Sequence, residues 1–256
     1  MYSFWSYRHL ILSLVNRQFQ IRYRQSLIGF VWAIVPPLAT VFAATLVFHR
    51  VARIDTGNIP YPLFAFAALA PWTFFANGLT FGVPSVVVSQ QMVSRIPFPR
   101  AALPVSAVGT LLVDLAISSG TFVVFAYVTG AGLPITAIWY PALVTVEFVL
   151  VLGLVLLGSA LDVFIRDIRL AVPFLVQLWL FLTPVLYPLS SVPADLRPLY
   201  LLNPMTGLVV SFRNVLIEGR PPAGDLLITS VIGALVALAV GTWYFHSTER
   251  RFADVI

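Results

Sequence analysis

Six stretches, residues 27–48, 61–83, 101–128, 135–161, 170–187 and 226–245, are apolar over roughly the twenty residues a helix needs to cross a bilayer. Hydrocarbon offers no partner for a backbone N–H or C=O, so each stretch must satisfy its own amides and fold as a helix. Composition agrees. Hydrophobic residues make up 59% of the chain and charged residues 10%, where an ordinary soluble domain is about a quarter charged. The pattern predicts an all-α integral membrane protein of one domain, residues 1–256. It divides into a cytoplasmic interface helix (1–26), spans one to five (27–187), an outer hairpin (188–225), and span six with a cytoplasmic tail (226–256).

The first 26 residues carry Arg8, Arg17, Arg22 and Arg24 and lack a long apolar core, so no secretory signal is expected. Leu10, Ile11, Leu14, Val15 and Phe19 recur at helical spacing, with polar residues on the other faces. That is the pattern of an amphipathic helix lying on a membrane surface or packed on another subunit. Arginine placement sets orientation. With the N-terminus in the cytoplasm, ten arginines lie inside (8, 17, 22, 24, 95, 100, 166, 169, 250, 251) and five outside (50, 53, 197, 213, 220). The bias predicts a multi-pass protein with both termini cytoplasmic.

Residues 199–217 are long and apolar enough to suggest a seventh span, yet they contain Asn203, Pro204, Gly207 and Arg213. A full crossing would carry Arg250 and Arg251 to the outer side. The segment is therefore expected to be a re-entrant or interfacial helical hairpin, buried in protein or lining a cavity. Asn203, Pro204 and Arg213 would then shape an outer gate, or Asn203 and Arg213 would contact head groups.

Several activities are excluded or disfavoured. There is no cysteine, hence no disulfide, thiolate metal site or thiol nucleophile. There is no lysine, so the chain cannot supply a Walker A loop. His9, His49 and His246 are scattered, with no H-E-x-x-H or G-x-S-x-G pattern. No metal site, catalytic residue or nucleic-acid partner is expected. The net charge of +5 suits anionic lipid. Asp114 and Glu147 are the carboxylates placed inside the bilayer. They read either as protonated groups bonded to Ser118, Ser119, Thr121 or Thr145, or as the relay of a proton-coupled secondary transporter.

Residues 22–38, RYRQSLIGFVWAIVPPL, join a basic cluster to an apolar run broken by two prolines. Arg22 and Arg24 either anchor the first span at the phosphate level or hold a phosphate at an entrance. Tyr23 and Trp32 either stack on a sugar or sit in the interface. Pro36 and Pro37 remove amide donors, which makes the first span, with Gly29 before them, a candidate hinge. Residues 93–100, VSRIPFPR, cannot lie within a helix because Pro97 and Pro99 each delete a donor. Phe98 between Arg95 and Arg100 reads as a docking knob or as part of an ordinary short loop. Asp162 and Arg166 stand four apart and are expected to pair, and Asp167 to cap the next helix.

Three of these stretches resemble one family. Residues 23–38, residues 94–107 (SRIPFPRAALPVSA) and residues 165–219 (IRDIRLAVPFLVQLWLFLTPVLYPLSSVPADLRPLYLLNPMTGLVVSFRNVLIEG) are similar, in order and spacing, to segments of the permease subunits of type-2 ABC exporters for polysaccharides, the O-antigen and teichoic acid group. Two positions depart from that pattern: Pro36 stands where asparagine is common, and Arg95 where lysine is usual.

The resemblance implies a transport subunit rather than an enzyme. It implies a homodimer in the bacterial inner membrane, with a central channel and two separate nucleotide-binding subunits that carry ATP and Mg. A lipid-linked glycan would enter past Arg22, Tyr23 and Arg24. The channel wall would include Phe30, Trp32, Trp179 and Tyr187. The ATPases would dock on Arg95, Pro97, Phe98, Pro99, Arg100, Arg166 and Asp167.

Overall fold

The computed structural model describes residues 12–16, 20, 34–51, 59–95 and 98–255, without the side chains of 49–51, 94–95 and 253–254. No strand occurs among them. Residues 12–16 are helical. The elements that follow are α1 Val35–Ala44, which widens into a π-helical stretch Thr45–Val51, then α2 Tyr61–Gly82, α3 Ser85–Val88, α4 Gln90–Arg95 and α5 Ala102–Val128. A 3₁₀ turn Ile135–Trp139 leads into α6 Tyr140–Phe164, followed by α7 Asp167–Phe181. The chain ends with α8 Arg197–Leu202, α9 Pro204–Arg213 with a π-helical stretch Asn214–Glu218, α10 Gly224–Thr248 and α11 Phe252–Val255.

Among the described residues, four helical runs are long and apolar enough to cross a membrane: Tyr61–Gly82, Ala102–Val128, Ile135–Phe164 and Gly224–Arg251. Their limits fall within a few residues of the apolar stretches read from the sequence. Ile34–Phe48 is apolar but shorter. The expected fifth span is also shorter than the sequence implied. α7 has 15 residues, about 22 Å at 1.5 Å per residue, where the hydrocarbon core is about 30 Å thick. The chain turns after Phe181, and Thr183, Val185 and Leu186 are buried in that turn.

The proline pair occupies the first turn of α1, where amides have no intrahelical acceptor and their loss costs nothing. The loosened part of this helix lies further on, in the π-helical stretch. Whether the prolines break a longer helix depends on residues 21–33, which lie outside the described residues.

α2 is the central helix. It is buried along most of its length, including Tyr61, Phe66, Trp72 and Phe75, and it packs on α5, α6, α7, α9 and α1. α10, by contrast, is mostly exposed along its length and meets the bundle chiefly through α6 and α9. That contact needs small residues. A Cβ on Gly153 would collide with the backbone of Ala237 and Leu238, and a Cβ on Gly241 with the carbonyl of Gly153. Without a hydrophobic drive between helices in lipid, such close backbone approach supplies the packing energy.

The connections sort to two ends. At one end, Thr136 Oγ1 donates to Val215 O at 2.9 Å, which joins the α5–α6 connection to the stretch after α9. At the other, a second hydrophobic cluster gathers Leu14, Val86, Val93, Ala102, Leu103, Val163, Phe245 and Phe252.

Replacing Gly153 by Val is expected to lower the thermal midpoint of the detergent-purified protein, an overpacking cost of about 1–3 kcal/mol. Gly120→Val serves as the control, since a Cβ there meets nothing within 4 Å. Equal midpoints for the two variants would contradict the close α6–α10 crossing.

Candidate functional site

Two groups of the residues singled out from the sequence come together, one at each end of the bundle. Arg22, Tyr23, Arg24, Gly29, Phe30, Trp32 and Pro97 lie outside the described residues, and Arg95 is described only by its backbone as the last residue of α4.

Asn203, Pro204, Arg213, Trp179 and Tyr187 form the first group. Residues 199–217 do not make one straight helix. They divide at Asn203, which is extended (φ −77, ψ 114) and caps α9 by accepting from Met205 N at 3.0 Å. Asparagine suits this position because its short amide reaches back to the first-turn N–H groups. The same amide accepts from Trp179 Nε1 at 3.1 Å and donates to Leu182 O at 3.0 Å and Thr183 Oγ1 at 2.9 Å. Asn203 therefore fastens the start of α9 to the end of α7. Pro204 lies beside α10, its carbonyl accepting from Ser230 Oγ at 2.6 Å and its ring against Gly233.

Arg213 fastens the other end of α9. Its side chain is 3% exposed, so the head-group contact considered from sequence does not apply to it. The guanidinium donates to Pro184 O at 2.6 Å, Tyr187 O at 3.3 Å and Phe64 O at 3.3 Å, and also to Val185 O. Its carbon stands 3.6 Å from the centre of the Phe64 ring. A buried charge of this kind is tolerated only when its donors are satisfied, and a planar fork with five N–H groups suits a set of carbonyls better than a point-charge ammonium. Tyr61 supports the same turn, its hydroxyl donating to Leu186 O at 2.8 Å.

Trp179 and Tyr187 spend their polar atoms on this structure. The Trp179 ring meets Phe75 edge-on with centroids 5.0 Å apart. Tyr187 OH donates to Phe181 O at 2.6 Å and lies 2.8 Å from Tyr200 OH. The apolar face that α7 leaves exposed is instead built by Leu170, Phe174, Leu175, Leu178 and Phe181.

The second group lies around Arg100. Its guanidinium donates to Glu249 O and stands 5.9 Å from the centre of the Phe252 ring. Phe252 is fully buried against Phe164 and Phe245. Phe98 packs against the same cluster and does not stand free. Pro99 starts the turn into α5, its carbonyl accepting from Ala102 N at 2.9 Å. The segment before α5 is thus clasped to the C-terminal residues. Phe252 carries no local signal of this role, because its partners come from α6, α10 and the turn before α5.

The expected Asp162–Arg166 pair does not form. Ile165 is extended (φ −128, ψ 97) and ends α6, so the two residues do not share a helix face. Asp162 pairs with Arg169 at 3.1 Å, on the first turn of α7. Arg166 is the exposed cap residue of α7, and Asp167 is its first residue, in the favourable first turn but making no side-chain cap bond. The bonds expected for Glu147 are absent too. Glu147 is fully buried and neither carboxyl oxygen has a partner among the described residues. Ser119, Thr121 and Thr145 each donate to a carbonyl of their own helix. No cluster of His, Cys, Asp and Glu able to hold a metal occurs among the described residues.

Comparisons with known proteins agree with this architecture. The family model described as "ABC-2 type transporter" matches residues 9–217. The chain is 32% identical over 254 residues to the O-antigen export system permease protein RfbA of Myxococcus xanthus, covering 98% of this chain and 97% of that one. It is 25% identical to the RfbA of Klebsiella pneumoniae, covering 96% and 95%. It is 21% identical to the polysialic acid transport protein KpsM of Escherichia coli, covering 93% of each.

Arg213→Met is expected to destabilise the purified protein by about 3 kcal/mol or more, because each stranded buried carbonyl costs about 1–3 kcal/mol. Arg213→Lys should recover only part of this, since one ammonium cannot both span the carbonyls and stack on Phe64. Thermal midpoints of the three proteins check the order. A lysine variant as stable as the parent would contradict the role of the planar fork.

Proposed function

Because the chain belongs to the ABC-2 type transporter family, we propose that it is the permease subunit of an ATP-driven exporter that carries a lipid-linked polysaccharide of the O-antigen class across the bacterial inner membrane. The observation that carries this reading is the likeness to polysaccharide-export permeases along nearly the whole chain, and not at one motif. The chain is a transport component rather than an enzyme. Its lack of lysine supports placing ATP and magnesium on two separate nucleotide-binding subunits.

In this reading the helix from Ile34 and α7, with the buried turn after it, complete a six-span bundle around the four long helices. Two copies enclose the channel, each presenting the exposed apolar face of α7. α8 and α9 form a re-entrant gate at the outer side. Two contacts support the dip: Pro204 meets Ser230 and Gly233, residues within α10, while Asn214 reaches back to Pro221 O before α10 begins. Both termini are cytoplasmic, and the ATPases dock at the end where Phe98, Arg100 and Arg166 lie beside the clasped C-terminal residues. Residues 22–24 form the glycan entrance, and Gly29, Pro36 and Pro37, at and before the start of α1, the hinge beside it.

Reconstitution with the ATPase encoded beside this gene tests the proposal. Lipid-linked glycans presented from the cytoplasmic face are expected to stimulate ATP hydrolysis, and loss of the gene to leave the polysaccharide inside the cell. Hydrolysis indifferent to every lipid-linked glycan would overturn the substrate class. Phe98→Ala is expected to keep the ATPase bound yet lose most of the stimulation. A variant with full stimulation would remove Phe98 from the coupling path.

A further inference from the structure

A cavity of 230 Å³ lies between α2, α5 and the start of α6. Phe66, Ala67, Ala70, Phe122, Ala137 and Leu216 form much of its wall. The hydroxyls of Ser119 and Tyr140 also reach it, but they bond to each other, and Ser119 donates to Leu115 O at 2.6 Å. The cavity therefore offers water little to bond with, and an apolar cavity of this kind stays dry. Drug-sized ligands occupy about 300–1,000 Å³, so this space suits a single hydrocarbon chain rather than a whole molecule.

Its surroundings say where that chain comes from. Pro141 in the wall is exposed and Val123 is partly exposed, so the cavity opens on the outside of the bundle. The neighbouring surface of α5 and the 3₁₀ turn is apolar and bare: Val124 is 64% exposed, Val128 80%, Ile135 88% and Ile138 76%. α5 and α6 are of membrane-crossing length, so this surface faces bilayer hydrocarbon.

A cation follows in the chain four residues after one wall residue. Leu216 lines the cavity, and the left-handed Gly219 (φ 65), packed near Pro134, turns the chain so that Arg220 follows at the same end. The Arg220 side chain is 74% exposed and holds Glu218 only at 3.4 Å, which leaves guanidinium donors for a phosphate. Tyr127 and Trp139, 64% and 50% exposed, are the aromatic types that settle at head-group level.

We infer that this cavity is a binding site for one acyl chain of an anionic bilayer phospholipid, whose phosphate is held at Arg220. No residue of α7, the helix the proposed channel uses, lines it, and the lipid makes the joint between α2, α5 and the outer connections a lipid-filled one. The site sits at the end opposite Arg100 and Phe252, and the inference holds whichever leaflet that end occupies.

Photo-crosslinking tests it. The full-length protein is placed in nanodiscs containing phosphatidylglycerol or phosphatidylcholine with a diazirine at the acyl terminus, and labelled peptides are mapped by mass spectrometry. Labelling is expected to concentrate on the segments holding Phe66 and Phe122, with phosphatidylglycerol favoured. Ala137→Leu, which fills part of the cavity, should cut that labelling by about tenfold. It should leave the exposed face of α10 at Ile232 and Val236 labelled as before. Arg220→Gln should abolish the preference for the anionic lipid. Labelling spread in proportion to exposure, or unchanged in Ala137→Leu, would overturn the site. An equal response to both head groups in the parent would overturn the role of Arg220. Native mass spectrometry of the parent gives a check without variants: one phospholipid retained per chain supports the site, and none retained counts against it. The assay reads occupancy and not transport, so its failure leaves the export reading untouched.

Discussion

The structure turns on a guanidinium placed where no charge should rest. Arg213 is buried among carbonyls of the turn after α7 and the ring of Phe64 on α2. In water these carbonyls would have solvent, and in lipid they would have nothing. A turn of irregular backbone between helices can exist at this level only if the protein supplies its hydrogen bonds. One side chain supplies several of them, and it reaches the turn from a helix that follows 26 to 29 residues later. Asn203 does the same for the end of α7. The two residues bracket α9, whose Met205, Leu208, Val209 and Phe212 are buried in the main core between them.

The sequence discloses one layer of this design clearly and hides another. Apolar length is a local property, so α2, α5, α6 and α10 could be located from sequence to within a few residues. Asn203–Pro204 likewise announced a break, because both residues interrupt a helix by their own chemistry. Partners were a different matter. Spacing suggested that Asp162 would meet Arg166, but the helix ends between them and Arg169 takes the place. Nothing near Phe64 in the chain announces a cation on its ring, since Arg213 lies 149 residues away. The resemblance assigned Trp179 and Tyr187 to a channel wall, but their hydrogen-bond acceptors were not legible, because an indole N–H or a phenol reveals its acceptor only in three dimensions. The resemblance supplied roles for stretches, while the contacts that hold those stretches had to come from the fold.

The two ends of the molecule solve their problems differently. At the end holding Asn203 and Arg213, polar side chains satisfy irregular backbone within an apolar setting. At the end holding Arg100, aromatic packing does the work. Phe252 fills the space between Phe164 and Phe245, and Arg100 covers its ring while bonding the backbone of Glu249. Hydrophobic clustering drives assembly where water is near, and hydrogen bonding where it is scarce. The clasp joins the residues before α5 to the last described helix, and Phe98 packs on a cluster shared by α5, α6 and α10.

α7 shows what this division allows. Val176 is its one buried residue, which in a soluble protein would leave a helix of this length unstable. In a bilayer its exposed leucines and phenylalanines lose nothing by facing lipid. Its position is then set at the ends, by Asp162 with Arg169 and by Trp179 with Asn203. A helix held at both ends and bare between them can give its apolar face to lipid, to a passing hydrocarbon or to a second copy, with little change in its own stability.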